Sequence, residues 1–182
     1  MSRKPPRIDT RNIVARSRIF NIEELHLTFS NDEQRVYERI FGTRNTSVLV
    51  VAVDTDDNFL LVSEYAAGSQ RYETGFPKGI LEPGENPLQA SNRELREETG
   101  FSATHLEALM TLSVSPGYMD HHTHLVLATG LRPEPLDGDE PEPPELIRWP
   151  RRDIAGLLRQ PTFTEARSVA ALYLANDRLD CS

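Results

Sequence analysis

Glu94, Glu97 and Glu98 fall within residues 86–99, a segment with the marks of a single helix: Pro87 in the first turn and Gly100 at the stop. At about 100° per residue, Glu97 lies near −60° and Glu98 near +40° from Glu94, so three carboxylates share an arc of about 100°. Leu88, Asn92, Leu95 and Thr99 fall between roughly +100° and +160°, which makes them the expected core face. Like charges at i,i+3 and i,i+4 repel, so something should compensate them. Arg93 is adjacent on the arc, and hard divalent cations take oxygen ligands from carboxylates. For three glutamates in an arbitrary helix, a solvated acidic face would be the simpler account.

The surroundings reverse that preference. Residues 79–101 carry Gly79, Glu85, Arg93-Glu94-Leu95, Glu97-Glu98 and Gly100-Phe101, at the spacings Gly, five residues, Glu, seven residues, Arg-Glu-aliphatic-any-Glu-Glu-any-Gly-apolar. With residue frequencies near 7%, such a pattern recurs by chance in roughly one window in a billion. It resembles the signature box of the Nudix hydrolases, a family that cleaves a nucleoside diphosphate linked to another group. Independently of the family, Pro77, Gly79, Pro83 and Gly84 build a turning loop before the helix, where backbone carbonyls can approach a cation closely. The resemblance implies that Glu94, Glu97 and Glu98 bind Mg²⁺, with Mn²⁺ as an alternative, and that Lys78 adds its backbone carbonyl. It further implies that Glu97 takes part in catalysis. Gly79, Glu85, Arg93 and Gly100 would be structural, with Glu85 and Arg93 paired to hold loop against helix.

Features outside the box narrow the resemblance to members acting on ADP-linked compounds. Pro116 and Tyr118 follow Phe101 by fifteen and seventeen residues; Val36-Tyr37-Glu38-Arg39 and Ser63-Glu64-Tyr65-Ala66 precede the box. Arg39, Glu73, Pro116 and Tyr118 are thereby expected to contact substrate, and the implied substrates are ADP-ribose, diadenosine triphosphate and NADH. Many ADP-ribose pyrophosphatases carry arginine where this chain has Ala66, which argues against strict ADP-ribose specificity. In those enzymes a loop glutamate closes over the substrate as general base and a second, two residues on, reaches the metals. Glu140 and Glu142 have that spacing, with Glu140 expected as the base.

The elements that must position these groups can be read in outline. Residues 19–22, 25–29 and 35–40 read as short strands of a small antiparallel sheet, and Val48 to Val53, apolar throughout, as a buried central strand. Residues 59–62, 105–112, 124–128 and 146–149 read as further strands, and 154–158 and 169–174 as terminal helices. Residues 132–145, with five prolines and six acids, read as a loop. The expected fold is α/β, the Nudix fold, with a mixed sheet sandwiched between helices and preceded by the small N-terminal sheet. Residues 1–45 would form a dimerising β subdomain and 46–182 the hydrolase domain.

Composition sets the bounds. The chain has 182 residues and a formal net charge of −8. Its mean hydropathy is −0.48. Up to Arg18 there are six basic residues against Asp9 alone, a balance of +5, which leaves −13 for the remainder. An acidic body is a poor polyanion binder, so nucleic acid is not an expected partner. The apolar run at 48–53 is far shorter than the roughly 18 residues a membrane helix needs. The sole cysteine, Cys181, excludes a disulfide framework and makes the cytoplasm the expected compartment. The small N-terminal sheet resembles the dimerising portion of ADP-ribose pyrophosphatases, which implies a homodimer. Arg3 to Arg11 are expected as a solvated tail, and Trp149 as core. His122 and His124, two apart on a strand, lack a third placed ligand. The rival readings are a Nudix hydrolase of another nucleotide derivative, such as a sugar nucleotide, coenzyme A or a capped RNA end, and a non-catalytic nucleotide sensor.

Overall fold

In the computed structural model, which describes residues 3–42, 46–138 and 141–181, most of the basic N-terminal arm is a strand, not a tail. Strand β1 (Arg7–Arg16) pairs antiparallel with β2 (Asn21–Thr28), which pairs antiparallel with β3 (Gln34–Phe41). Partners distant in sequence hold the arm: Thr28 donates to Asp9 at 2.5 Å, and Arg11 reaches Glu23 at 4.0 Å. The two runs expected at 19–22 and 25–29 form the single strand β2. Its interior acid Glu23 does not break it, because that carboxylate is buried against Arg39 at 2.8 Å. These strands belong to a unit made of Met1–Asn45 and Ser113–His122. Within it, Ile40 N donates to Tyr118 O at 2.7 Å and bridges to Met119.

The other unit, Thr46–Leu112 and Thr123–Ser182, carries the main sheet. The run 48–53, apolar at every position, needs cover on both faces, and within β4 (Thr46–Val53) it receives it. Its neighbours are β5 (Asn58–Ala66), with β6 (Arg71–Gly75) beyond, and β7 (Lys78–Ile80). Helix α1 (Pro87–Thr99) follows, then β8 (Phe101–Ser113), β9 (His122–Pro133), β10 (Glu145–Pro150), the short α2 (Ile154–Leu157) and α3 (Ala166–Asp180). The order across the mixed sheet is β10-β5-β4-β9-β8. Leu49, Val51 and Val53 pack with Phe59, Leu61, Leu125 and Leu172, on the α3 side. Val50 and Ala52 pack with Leu60, Ala128 and Leu95, on the α1 side. The sheet is thus sandwiched between helices, as expected. Strand β7 stands inside the turning loop expected before the helix, and β6 where no element was expected; they pair with β4 and β5 and show no apolar alternation of their own. Trp149 is only partly buried, its indole N–H donating to Asp153 O at 2.9 Å. Among the described residues, no helix is long and apolar enough to cross a membrane.

Both ends of α1 are closed by local chemistry. The Asn86 side chain accepts from Leu88 N and Gln89 N, each at 3.0 Å, while the Gln89 side chain accepts from Asn86 N at 3.0 Å. Gly100 takes the left-handed conformation at φ 78°, and its N–H closes the last turn on Arg96 O. Asn86→Ala should lower the unfolding free energy by about 1 kcal/mol. Denaturant titration checks this, and an unchanged midpoint would contradict it.

Candidate active site

The helix buries the expected Leu95 and Thr99, but its inner face is rotated from the expected one toward the glutamates. Ala90, Ser91, Glu94, Leu95, Glu98 and Thr99 are buried, whereas Leu88 is 37% exposed. Asn92 faces β8, accepting from Ala103 N at 2.9 Å. The inner arc is centred on Glu98, which is 4% exposed, and includes Glu94 at 7%. A buried carboxylate is costly unless compensated. Burial pushes Glu98 well above the usual carboxylate range; Lys78 opposes this, while Glu64 and Glu94 add to it. The sign follows from linkage. A carboxyl whose folded pKa is raised destabilises the fold progressively as pH rises from its unfolded value through the folded one.

Two cations answer part of this charge. Arg93 Nε and Nη2 donate to Glu85 at 2.9 and 3.1 Å, and its Nη1 donates to Glu94 at 2.8 Å and Glu97 at 2.9 Å. Nη2 also donates to Ile80 O at 3.0 Å, which ties β7 to the helix. Beside this guanidinium, Glu85 is held below its ordinary range and Arg93 above its own. On the other side, Lys78 N donates to both oxygens of Glu98 at 3.4 and 3.3 Å. Its ammonium pairs with Glu64, an acid that sequence reasoning passed over. The available signal was its place just after the apolar run of β5. Pro77 O accepts from Val50 N at 2.8 Å and fixes the entry to this loop on the central strand.

The set comprises hard oxygen donors, as Mg²⁺ requires, and its five carboxylates (Glu64, Glu85, Glu94, Glu97 and Glu98) outnumber Lys78 and Arg93. Among the described residues, no three acidic, histidine or cysteine side chains stand as a formed cation shell. Arg93 Nη1 takes oxygens of Glu94 and Glu97 instead. The donor chemistry fits a divalent cation, since Arg93 takes one oxygen each of Glu94 and Glu97 and a carboxylate has two.

The remaining expected residues divide between the units. Glu73 is held by Arg71 at 2.8 Å and lines a cavity of about 280 Å³ with Glu64, Lys78 and Arg167. Arg71 holds Glu73 below the ordinary carboxylate range. Glu142 accepts from the Tyr72 hydroxyl at 2.8 Å, while Glu140 lies outside the described residues. Arg39, Pro116 and Tyr118 belong to the first unit, where Arg39 pairs with Glu23 and, at 3.8 Å, Asp120. Tyr118 is 74% exposed.

Gly79 decides where the Glu94 carboxylate can sit. A Cβ there would lie 1.9–2.2 Å from the Glu94 carboxyl atoms, while the backbone has no positive φ that would exclude alanine. Gly79→Ala should therefore fold, displace Glu94 and weaken divalent-cation binding by about 10–100-fold. Circular dichroism melts and calorimetric Mg²⁺ titration check this, and unchanged Mg²⁺ affinity would contradict it.

Comparison with known proteins agrees with this geometry. The NudE-type Nudix hydrolase N-terminal domain model matches residues 6–39, and the NUDIX domain model matches residues 43–172. The chain is 46% identical over 178 residues to the ADP compounds hydrolase NudE of Escherichia coli (strain K12), covering 98% of this chain and 95% of that one. It is 30% identical over 128 residues to the ADP-ribose pyrophosphatase of Bacillus subtilis (strain 168), 69% of each chain. A crystal structure of an ADP compounds hydrolase, 45% identical, superposes with a TM-score of 0.93 over 100% of this chain and 97% of that one. With the helix carboxylates, the loop before them and both units accounted for, the chain belongs to the Nudix hydrolase family and carries a NudE-type N-terminal domain.

Proposed function

We propose that this chain hydrolyses the diphosphate linkage of ADP-linked compounds, ADP-ribose, diadenosine triphosphate and NADH among them, giving AMP and a second phosphorylated product. The observation that carries this reading is the buried carboxylate pair Glu94 and Glu98 on the helix that follows a loop tied to the central strand, within a chain that resembles NudE along nearly its whole length. Glu94, Glu97, Glu98 and the Lys78 backbone carbonyl would hold Mg²⁺, or Mn²⁺ in its place. When bound, the cation neutralises diphosphate charge and polarises the phosphorus under attack. Glu140 takes the proton of the attacking water as the bond from phosphorus to the bridging oxygen breaks. Glu142, held by Tyr72, steadies the same loop. Arg93 and Glu85 keep loop and helix together, and Arg39, Glu73, Pro116 and Tyr118 contact the substrate.

Residues 1–45 act as a dimerising subdomain and 46–182 as the hydrolase domain of a homodimer in the cytoplasm. Support comes from β1, exposed along its whole length, with Ile13 at 38%, Val14 at 49% and, on β3, Val36 at 55% exposure. Light scattering at micromolar concentration should give twice the 20.6 kDa chain mass. A monomer mass would overturn the dimer.

A panel of ADP-ribose, NADH, diadenosine triphosphate, a sugar nucleotide and coenzyme A, run in ¹⁸O-labelled water with Mg²⁺, tests the activity. AMP should accumulate from the ADP compounds. Glu98→Gln should abolish metal-dependent turnover, and Glu140→Gln should cost about 10²–10⁴-fold in kcat. Inactivity on every substrate would instead support a nucleotide sensor, and undiminished Glu98→Gln turnover would remove the assigned site.

A further inference from the structure

Tyr65 and Tyr72 face one another across β5 and β6, their rings edge-to-face with centroids 5.7 Å apart and an interplanar angle of 71°. Both are left half in solvent, at 58% and 52% exposure, beside a cavity of about 480 Å³. Opposite them stand Pro141, Pro143 and Pro144, so the walls are rings and aliphatic carbons. The Tyr72 hydroxyl anchors the facing wall through Glu142. Glu64, Glu142 and Glu145 also line the cavity, which makes it inhospitable to a further phosphate. Glu64 lines the neighbouring cavity as well and pairs with Lys78, whose backbone N–H holds Glu98. The aromatic cavity therefore adjoins the carboxylate site through one residue.

We infer that this cavity seats the second nucleobase of a dinucleotide substrate, a planar nitrogen heterocycle stacked on the face of Tyr65 with the inclined ring of Tyr72 against its edge. Tyrosine rings lose little conformational freedom when a ligand covers them, and every base offers a face to stack. The inference rests on the proposed hydrolysis of ADP-linked compounds and makes it more specific. ADP-ribose carries a bare ribose on its second arm and leaves the rings uncovered; NADH carries nicotinamide there, and diadenosine triphosphate a second adenine. The tyrosine pair accordingly sets the preference between dinucleotides and ADP-ribose.

The test compares Tyr65→Leu and Tyr65→Thr, the latter a strand former, with the conservative Tyr65→Phe. The ratio of kcat/KM for NADH to that for ADP-ribose should fall about tenfold in the Leu and Thr variants and return to the parent value in Tyr65→Phe. A ratio within twofold of the parent in both truncations would overturn the assignment. Calorimetric binding of nicotinamide mononucleotide and of ribose 5-phosphate provides a readout independent of turnover. The parent should prefer the mononucleotide, and the truncations should lose that preference; equal affinities in the parent would overturn the assignment. If the parent cleaves neither substrate, the hydrolase reading fails while the binding comparison still decides the role of the tyrosines.

Discussion

Glu98 lies on the inner face of α1, where it meets the backbone N–H of Lys78 and the neighbouring carboxylates of Glu64 and Glu94. Much of the surrounding structure can be traced to keeping that charge in place. Removing a carboxylate from water is tolerated only where cations, donors or metals replace the lost solvation. Here the replacement is layered: Lys78 covers one side, and Arg93 gathers Glu85, Glu94 and Glu97 on the other. The capping box and the left-handed Gly100 hold the helix rigid beneath them. The site is consequently over-supplied with negative charge that is already ordered, an arrangement that favours a cation without requiring the chain to rearrange on a large scale.

The sheet contributes by being covered on both sides. Because β4 buries every position from Ser47 to Val53, its two faces are committed to different helices, and α1 cannot rotate without uncovering Val50 and Ala52. The loop before α1 is fixed to the same strand through Pro77 O and through β7. Loop and helix thus share one reference element, which is how a backbone N–H and a side chain twenty residues apart come within 3.3 Å.

Most of this was legible in the sequence where periodicity is local. The helix expected at 86–99 is Pro87–Thr99, and the uniformly apolar run at 48–53 is the central strand. The orientation of α1 was not legible. Leu88 is apolar but exposed, and Glu94 and Glu98 are charged but buried, because the packing surface is set by Gly79 and Lys78, which lie outside the helix. Strand β1 escaped notice since it is exposed along its whole length and the contacts that fix it to the sheet come from β2, nineteen positions away in the Asp9–Thr28 bond. Glu64 was hidden for the same reason: its ion pair is with a residue fourteen positions on. The glutamate spacing was readable as a ligand set and the helical arc put Arg93 beside it, as its bonds to Glu94 and to Glu97, four residues on, bear out. That one guanidinium also reaches Glu85 and Ile80 O is a matter of three-dimensional geometry.

The first unit is discontinuous, and this bears on how the chain is made. Residue Ile40 on β3 exchanges backbone hydrogen bonds with Tyr118 and Asp120, and Arg39 pairs with Asp120, so the end of that strand's edge is met by residues about eighty positions later. During synthesis the three N-terminal strands emerge first, with a sheet edge still unpaired. It stays open until β4, the signature loop, α1 and β8 have all been synthesised. The contact at Ile40 is thereby timed to the emergence of the segment between β8 and β9, which makes the exposed edge of a nascent chain, more than the finished core, the point at which assembly is vulnerable to wrong pairing.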